Sequence, residues 1–350
     1  MHADVIRKSG VAADARQPVI LAIGPYFAHI GMTPEDADPT RRGPNVYYTE
    51  LVTDGKLFDR GYTLVQVDLR GFGGSEGCND FGGKGEQADV KAAVEWAASQ
   101  PWSNGKVGMF GKSYDGWTLA MALATKPKGL AAIVIQAPVL SGYRALYMNG
   151  VHYALGWYAT PAVYQATDAL PPAAFDSPEY IRHSALGFNP ACYALNIALQ
   201  TGLADRDDGA GFWQQRDLIE RASGSAVPTF WEHGFVDANA KLDNFLDVYS
   251  VLRGPHRVWA GQWAHERLTE ALVGRKGFYD EAMRWFDRYV KGLPEQQAPV
   301  GSDPGAEIQD GGTHKWRAEA VWPPPDAAGH DLSVRPGTHV NVPGNSASGD

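Results

Sequence analysis

The stretch KVGMFGKSYDGWTLAMALATKP, Lys106 to Pro127, constrains the fold more than any other part of the chain. A short apolar run ends at Gly111, an apolar segment of helical spacing starts near Asp115, and Lys112, Ser113 and Tyr114 alone join them. A strand turned into a helix this abruptly belongs to a βα unit, and βα units build parallel sheets. The same rhythm recurs along the chain. PVILAIGPYF (Pro18 to Phe27) reads as a buried strand running into a loop, and YTLVQVDLRGFGGSEG as a strand from Tyr62 to Asp68 followed by a glycine-rich turn. GEQADVKAAVEWAASQ places Val90, Ala93, Val94, Trp96 and Ala97 at helical spacing. Leu130 to Val139, Thr229 to Trp231 and Arg257 to Ala260 are further strand candidates, and YDEAMRWFDRYVKG is an amphipathic helix closed by Gly292. Strands that are apolar throughout rather than alternating lie in a parallel sheet covered on both faces.

The rhythm breaks between Ser141 and Ser225. Tyr143, Tyr147, Tyr153, Trp157, Tyr158 and Tyr164 cluster there, followed by helix-like pieces such as GFWQQRDLIERAS. The expected organisation is an α/β domain over 1–140, a mostly helical insertion over 141–225, and the remainder of the α/β domain over 226–293. The segment 294–350 is rich in Pro and Gly and too polar for a core of its own, so extended pieces and a disordered tail after Val342 are expected.

Composition removes whole classes of function. A formal net charge of -9 without basic clusters argues against nucleic acid or an anionic membrane as partner. No apolar run reaches the length of a membrane-spanning helix, and the N-terminus has no apolar h-region, so the cytoplasm is the expected compartment. With two cysteines, Cys78 and Cys192, a disulfide framework is not expected and a four-cysteine zinc site is impossible. DRDDGAG from Asp205 resembles the opening of a calcium loop, but Arg216 stands where the closing Glu belongs.

Gly111-Lys112-Ser113 admits two chemistries. A phosphate-binding loop needs another Gly five residues before Gly111, and that position holds Lys106. Val107, Met109 and Phe110 are strand residues rather than a phosphate cradle. A nucleophile elbow, by contrast, sits between a strand and a helix with small residues around a strained Ser. Here the second Gly is displaced by one, to Gly116, and a simple helix cap at Ser113 is the competing explanation.

A nucleophilic Ser needs a base and a carboxylate that orients it, and in α/β-hydrolases the chain order is Ser, acid, His, each on a loop after a strand. Asp237 in WEHGFVDANA and His265 in RVWAGQWAHERL satisfy order and placement. His233 is expected to support the acid loop, His256 lies at the wrong end of its strand, and His152 and His183 fall in the insertion. Asp243 and Asp247 follow on a solvated helix, and Asp115 is placed to cap the helix after the turn. The amide of Tyr114 is one expected oxyanion donor, and the hydroxyl of Tyr26, in the loop after the early strand, is a candidate for the second.

These segments together resemble the Xaa-Pro dipeptidyl-peptidase family of serine hydrolases (peptidase family S15), which includes cocaine-esterase-like acyl esterases. The elbow Gly-x-Ser-Tyr-x-Gly with its displaced Gly is that family's form, and Gly-Lys-Ser-Tyr is similar to the dipeptidyl-peptidase branch. VDLRGFGGSEG, HGFVDANA, GQWAH, RWFDRYVKG and GPYF resemble the family's Gly loop, acid loop, histidine loop, closing helix and oxyanion loop. The resemblance implies an α/β-hydrolase fold with a helical cap, a triad of Ser113, Asp237 and His265, oxyanion donors at Tyr26 and Tyr114, and no cofactor or metal. It implies a small ester or short peptide as substrate, and a homo-oligomer is compatible with it. It also implies that GTHKWRAEAVWPPPD opens a β jelly-roll of which this chain holds only the start. A dipeptidyl-peptidase must hold a free ammonium, for which Asp168, Asp176 and Glu179 are candidates, whereas an esterase needs only an apolar cleft. Gly-Lys-Ser-Tyr makes the dipeptidyl-peptidase the expected activity, with a cocaine-esterase-like acyl esterase and an inactive fragment acting as a binding module as the alternatives.

Overall fold

The computed structural model describes residues 1–27, 29, 32–34, 42–148, 150–153, 164, 176–184 and 190–327. Its centre is a nine-stranded sheet. We number its strands β1 (Ala3–Ile6), β2 (Gln17–Gly24), β3 (Thr63–Asp68), β4 (Ser103–Lys112), β5 (Leu130–Gln136), β6 (Thr229–Gly234), β7 (His256–Gly261), β8 (Ala306–Gln309) and β9 (Trp316–Glu319). The spatial order is β1-β3-β2-β4-β5-β6-β7-β8-β9. Every pairing from β3 to β8 is parallel, and only the edge strands β1 and β9 run antiparallel to their neighbours.

The side-chain alternation of β2 shows how the two faces are filled. Val19, Leu21 and Ile23 join the core beneath α1 (Lys84–Ser99) and α2 (Tyr114–Thr125). Ile20 and Ala22 turn the other way and pack with Phe278, Ala282, Met283 and Phe286 of α5 (Phe278–Phe286). Two-sided burial is why the strands read as unbroken apolar runs.

The described part of the insertion is helical, with α3 (Pro178–Ser184), α4 (Pro190–Leu203) and shorter turns, plus a two-stranded ribbon of Tyr147–Met148 and Val151–His152. Trp157, Tyr158 and Asp168 lie outside the described residues, as does the chain after Val342.

Two expectations need correction. Cys78 and Cys192 are joined in a disulfide across 114 residues, binding α4 to the loop that follows β3. Cysteine count carried no sign of this, because one long-range pair has no spacing rule. The segment after Leu293 also does more than link. Ala306 and Ile308 are buried, and β8 extends the parallel sheet beside β7. Buried Arg257 fixes it by bonding Asp303, Glu307 and Glu281 at 2.6–2.8 Å. The Trp316 ring of β9 packs on Trp259 and Trp263, so GTHKWRAEAVWPPPD begins as an edge of the central sheet.

Candidate active site

Ser113 stands between the end of β4 and the start of α2, with φ 65 and ψ -120. A non-Gly residue pays about 1–3 kcal/mol for such a backbone. Burying one large aliphatic side chain returns about 1.5–3 kcal/mol, and in α2 every residue from Tyr114 to Leu123 is buried, so the helix outweighs the strain of its own turn. The Ser113 side chain makes no capping bond to the helix, which removes the simple-cap explanation.

The two glycines have separate causes. A Cβ on Gly111 would stand 2.6 Å from the Asp115 Cβ, and one on Gly116 would stand 2.4 Å from the Gln136 carbonyl oxygen. Gly116 is therefore dictated by the contact of α2 with the end of β5, which accounts for its displacement by one residue.

Asp237 and His265 come from the loops after β6 and β7, parallel neighbours whose ends lie side by side. His265 Nδ1 is 2.6 Å from Asp237 Oδ2, while Asp237 Oδ1 accepts the amides of Asn239 and Ala240 at 2.8 and 2.9 Å. Burial pushes this carboxyl up. The hydrogen bond and charge of His265, then His233 and the Asn239 amide, outweigh it and hold it below the usual carboxylate range. His265 Nε2 is buried without a hydrogen-bond partner among the described residues. It belongs to a residue that lines, with Ser113, a cavity of about 260 Å³. His233 Nε2 bonds the Ala240 carbonyl at 2.6 Å, fixing the acid loop.

Tyr26 lines the same cavity as Ser113, its hydroxyl 2.8 Å from that of Tyr164. Burial, then Tyr164 and Asp115, raise the Tyr26 phenol well above its ordinary value, so it stays protonated and able to donate. The Tyr114 amide is the first of α2, and such an amide has no partner within its helix. The Tyr114 side chain points elsewhere, donating to Glu86 Oε2 at 2.8 Å. Glu86 also accepts the Gly82 amide at 2.8 Å, and burial, followed by the charge of Asp80, raises its carboxyl to about 7.

Several residues at the site carry no motif. Asp115 is buried, accepts from the Tyr48 hydroxyl at 3.0 Å, and is pushed by burial well above the carboxylate range, hence toward its neutral form. Glu232 of β6 ties together the ends of two strands and one loop: Lys112 Nζ at 3.1 Å, Gln136 Nε2 at 3.0 Å and Trp263 Nε1 at 2.7 Å. Arg267 stacks over the Tyr47 ring at the cavity wall. On the cap side, Val139, Ala145, Leu146, Trp117 and Tyr164 enclose a smaller apolar niche that also touches Ser113.

The other candidates lie elsewhere. His183 bonds the Gly74 carbonyl and Glu76. His256 bonds the Gly254 carbonyl at the opposite end of β7, and His152 packs edge-on against Tyr147. Asp243 and Asp247 sit on helical turns at the surface.

Residues 1–267 match the family model of X-Pro dipeptidyl-peptidase (S15 family). The chain belongs to this family. It is 29% identical to a Streptomyces avermitilis protein provisionally named an Xaa-Pro dipeptidyl-peptidase, covering 96% of this chain and 49% of that relative. It is 28% identical to cocaine esterase from a Rhodococcus species, covering 90% and 57%. Among solved structures, a CocE/NonD family hydrolase from Staphylococcus aureus superposes with a TM-score of 0.67 at 18% identity, over 93% of this chain and 54% of that one, which shows the shared fold. The chain thus spans about half the length of the relatives it matches. Both peptidases and esterases stand among them, and the chain has the α/β-hydrolase fold. No helix among the described residues is long and apolar enough to cross a membrane.

Proposed function

We propose that the chain cleaves carboxylic esters or amides through an acyl-enzyme on Ser113. The observation that carries this is the left-handed backbone of Ser113 at a cavity shared with His265, whose Nδ1 is held by buried Asp237. His265 Nε2 takes the hydroxyl proton as Oγ attacks the substrate carbonyl, and Asp237 fixes the tautomer and stabilises the imidazolium. The Tyr26 hydroxyl and the Tyr114 amide donate to the oxyanion. Collapse expels the alcohol or amine, which receives the proton from His265. Water then attacks the acyl-enzyme with His265 again as base, releasing the acid and restoring Ser113. These steps call on protein groups alone.

Of the two substrate classes, the cavity favours esters. Asp115 is the one carboxyl among its described lining residues, and burial holds it toward neutrality. Asp176 is engaged by His29, and Glu179 is an exposed residue facing Arg182. Lys112, which gives the chain its peptidase-like Gly-Lys-Ser-Tyr, is occupied by Glu232 and braces loops. The apolar niche beside Ser113 suits a short acyl chain. Parallel kcat/KM measurements on a short-chain p-nitrophenyl ester and on Gly-Pro p-nitroanilide test the assignment. Higher efficiency on the ester is expected. Preference for the anilide, lost on acetylating its amino group, would instead establish the dipeptidyl-peptidase activity suggested by the relatives' names.

A further inference from the structure

A second constellation of chemistry-bearing side chains lies where the N-terminal strand, the loop after β2 and the cap converge. None of its residues lines the Ser113 cavity. His2 Nδ1 is 3.0 Å from Asp68 Oδ2. His29 Nδ1 is paired with Asp176, and His29 Nε2 is 3.0 Å from Asp4 Oδ2. The Tyr180 ring of α3 stacks on His29 at 4.0 Å and meets His2 edge-on at 4.9 Å, and its hydroxyl accepts the His29 amide at 3.2 Å. One donor atom each from His2, Asp4 and His29 lie within 4.8 Å of one another.

We propose that His2, Asp4 and His29 form a binding site for a divalent transition metal, with zinc the best fit. Two imidazoles and one carboxylate form a donor set that suits zinc and not magnesium or calcium, which take oxygen ligands. The surroundings are those of a metal site as well. Each imidazole presents Nδ1 to a carboxylate outside the donor set, Asp68 for His2 and Asp176 for His29. For His29 that arrangement turns Nε2 toward Asp4, and a carboxylate on the far ring nitrogen is the usual companion of a metal-ligating imidazole. Ligands about 2.0–2.1 Å from a tetrahedral zinc stand roughly 3.3 Å apart, close to the observed 3.0 Å between Asp4 and His29. His2 is the more exposed imidazole, at 25%, so the ion would enter from its side, and a small shift of the ring that keeps Nδ1 on Asp68 would close the remaining gap. Asp4, Asp68 and Asp176 together place three carboxylates around the two imidazoles. Because Asp176 and Tyr180 belong to the cap side and His29 to the loop that carries Tyr26, the bound ion would clamp cap, N-terminal strand and oxyanion loop together. The sequence hid this site, since positions 2, 4 and 29 follow no ligand spacing and the outer carboxylates come from 68 and 176.

The competing arrangement is imidazole–carboxylate pairs that hold strand, loop and cap together without an ion, and zinc titration separates the two. The full chain, stripped with chelator and dialysed, is titrated with zinc in competition with a chromophoric zinc indicator, alongside His2→Gln and Asp4→Asn. The parent is expected to bind one equivalent that both variants lose or hold at least about 100-fold more weakly, and zinc should raise the Tm of the parent but of neither variant. Cobalt in place of zinc should give a visible absorption band in the parent alone. Ester turnover by the variants reports that they are folded. No equivalent in the parent beyond that in the variants, or full binding that survives both substitutions, would overturn the proposal.

Discussion

Ser113 shows how a single residue's conformation ties sequence to chemistry. Its positive φ is held by a helix buried all round, and the same turn leaves the Tyr114 amide without a helical partner beside the hydroxyl. Tyr26 completes the arrangement, and Tyr26→Phe should lower kcat by about 10²–10³-fold, a loss of roughly 2.7–4 kcal/mol of transition-state stabilisation, with little change in KM. Unchanged turnover in that variant would remove Tyr26 from the oxyanion hole. At this scale the positions readable in the sequence were those fixed by local rules: an elbow between strand and helix for Ser113, and loops after strands in chain order for Asp237 and His265. Tyr164, Asp115 and Arg267, and Glu232 behind Lys112 and Gln136, were not readable as a group, because only tertiary packing brings them to the cavity or its wall. Asp115 is instructive: read as a helix cap, it is instead wedged against Gly24 and Gly111 and bonded to Tyr48.

Between elements, buried carboxylates and one covalent link hold the elbow and the cap in place. Glu86 of α1 reaches the Gly82 amide and the Tyr114 hydroxyl at the head of α2. Its carboxyl is raised to about 7 from an ordinary 4.5, so the folded state binds its proton more tightly than the unfolded chain. The resulting stabilisation is fully present below about pH 4.5 and is lost as pH rises toward 7. Urea unfolding at pH 5 and pH 7 should therefore show a smaller loss of stability on raising the pH in Glu86→Gln than in the parent. An equal loss in both would place the proton elsewhere. The disulfide from Cys78 to α4 makes a second prediction. Cys192→Ser should cost about 2–5 kcal/mol of stability, since the bond closes a loop of more than 100 residues. Thiol titration of the unfolded, unreduced parent should find no free cysteine. The parallel strands were legible as elements because two-sided burial makes them apolar end to end. The disulfide and β8 were not: one has no spacing signal, and the other is a four-residue strand inside a Pro- and Gly-rich segment.

Across the whole molecule, one sheet brings the three proposed catalytic residues together, with Ser113, Asp237 and His265 following the carboxyl ends of β4, β6 and β7. The lower edge is completed by β8 and β9, tied in by Arg257 and Trp316. Because the chain spans about half the length of its relatives, whether this half assembles a working nucleophile is the central question. Intact mass after treatment with a fluorophosphonate, for the parent and for Ser113→Ala, answers it most directly. One adduct on the parent and none on the variant is the predicted result. A folded parent that takes no adduct, or a Ser113→Ala protein that still does, would contradict the assignment of Ser113 as the activated nucleophile.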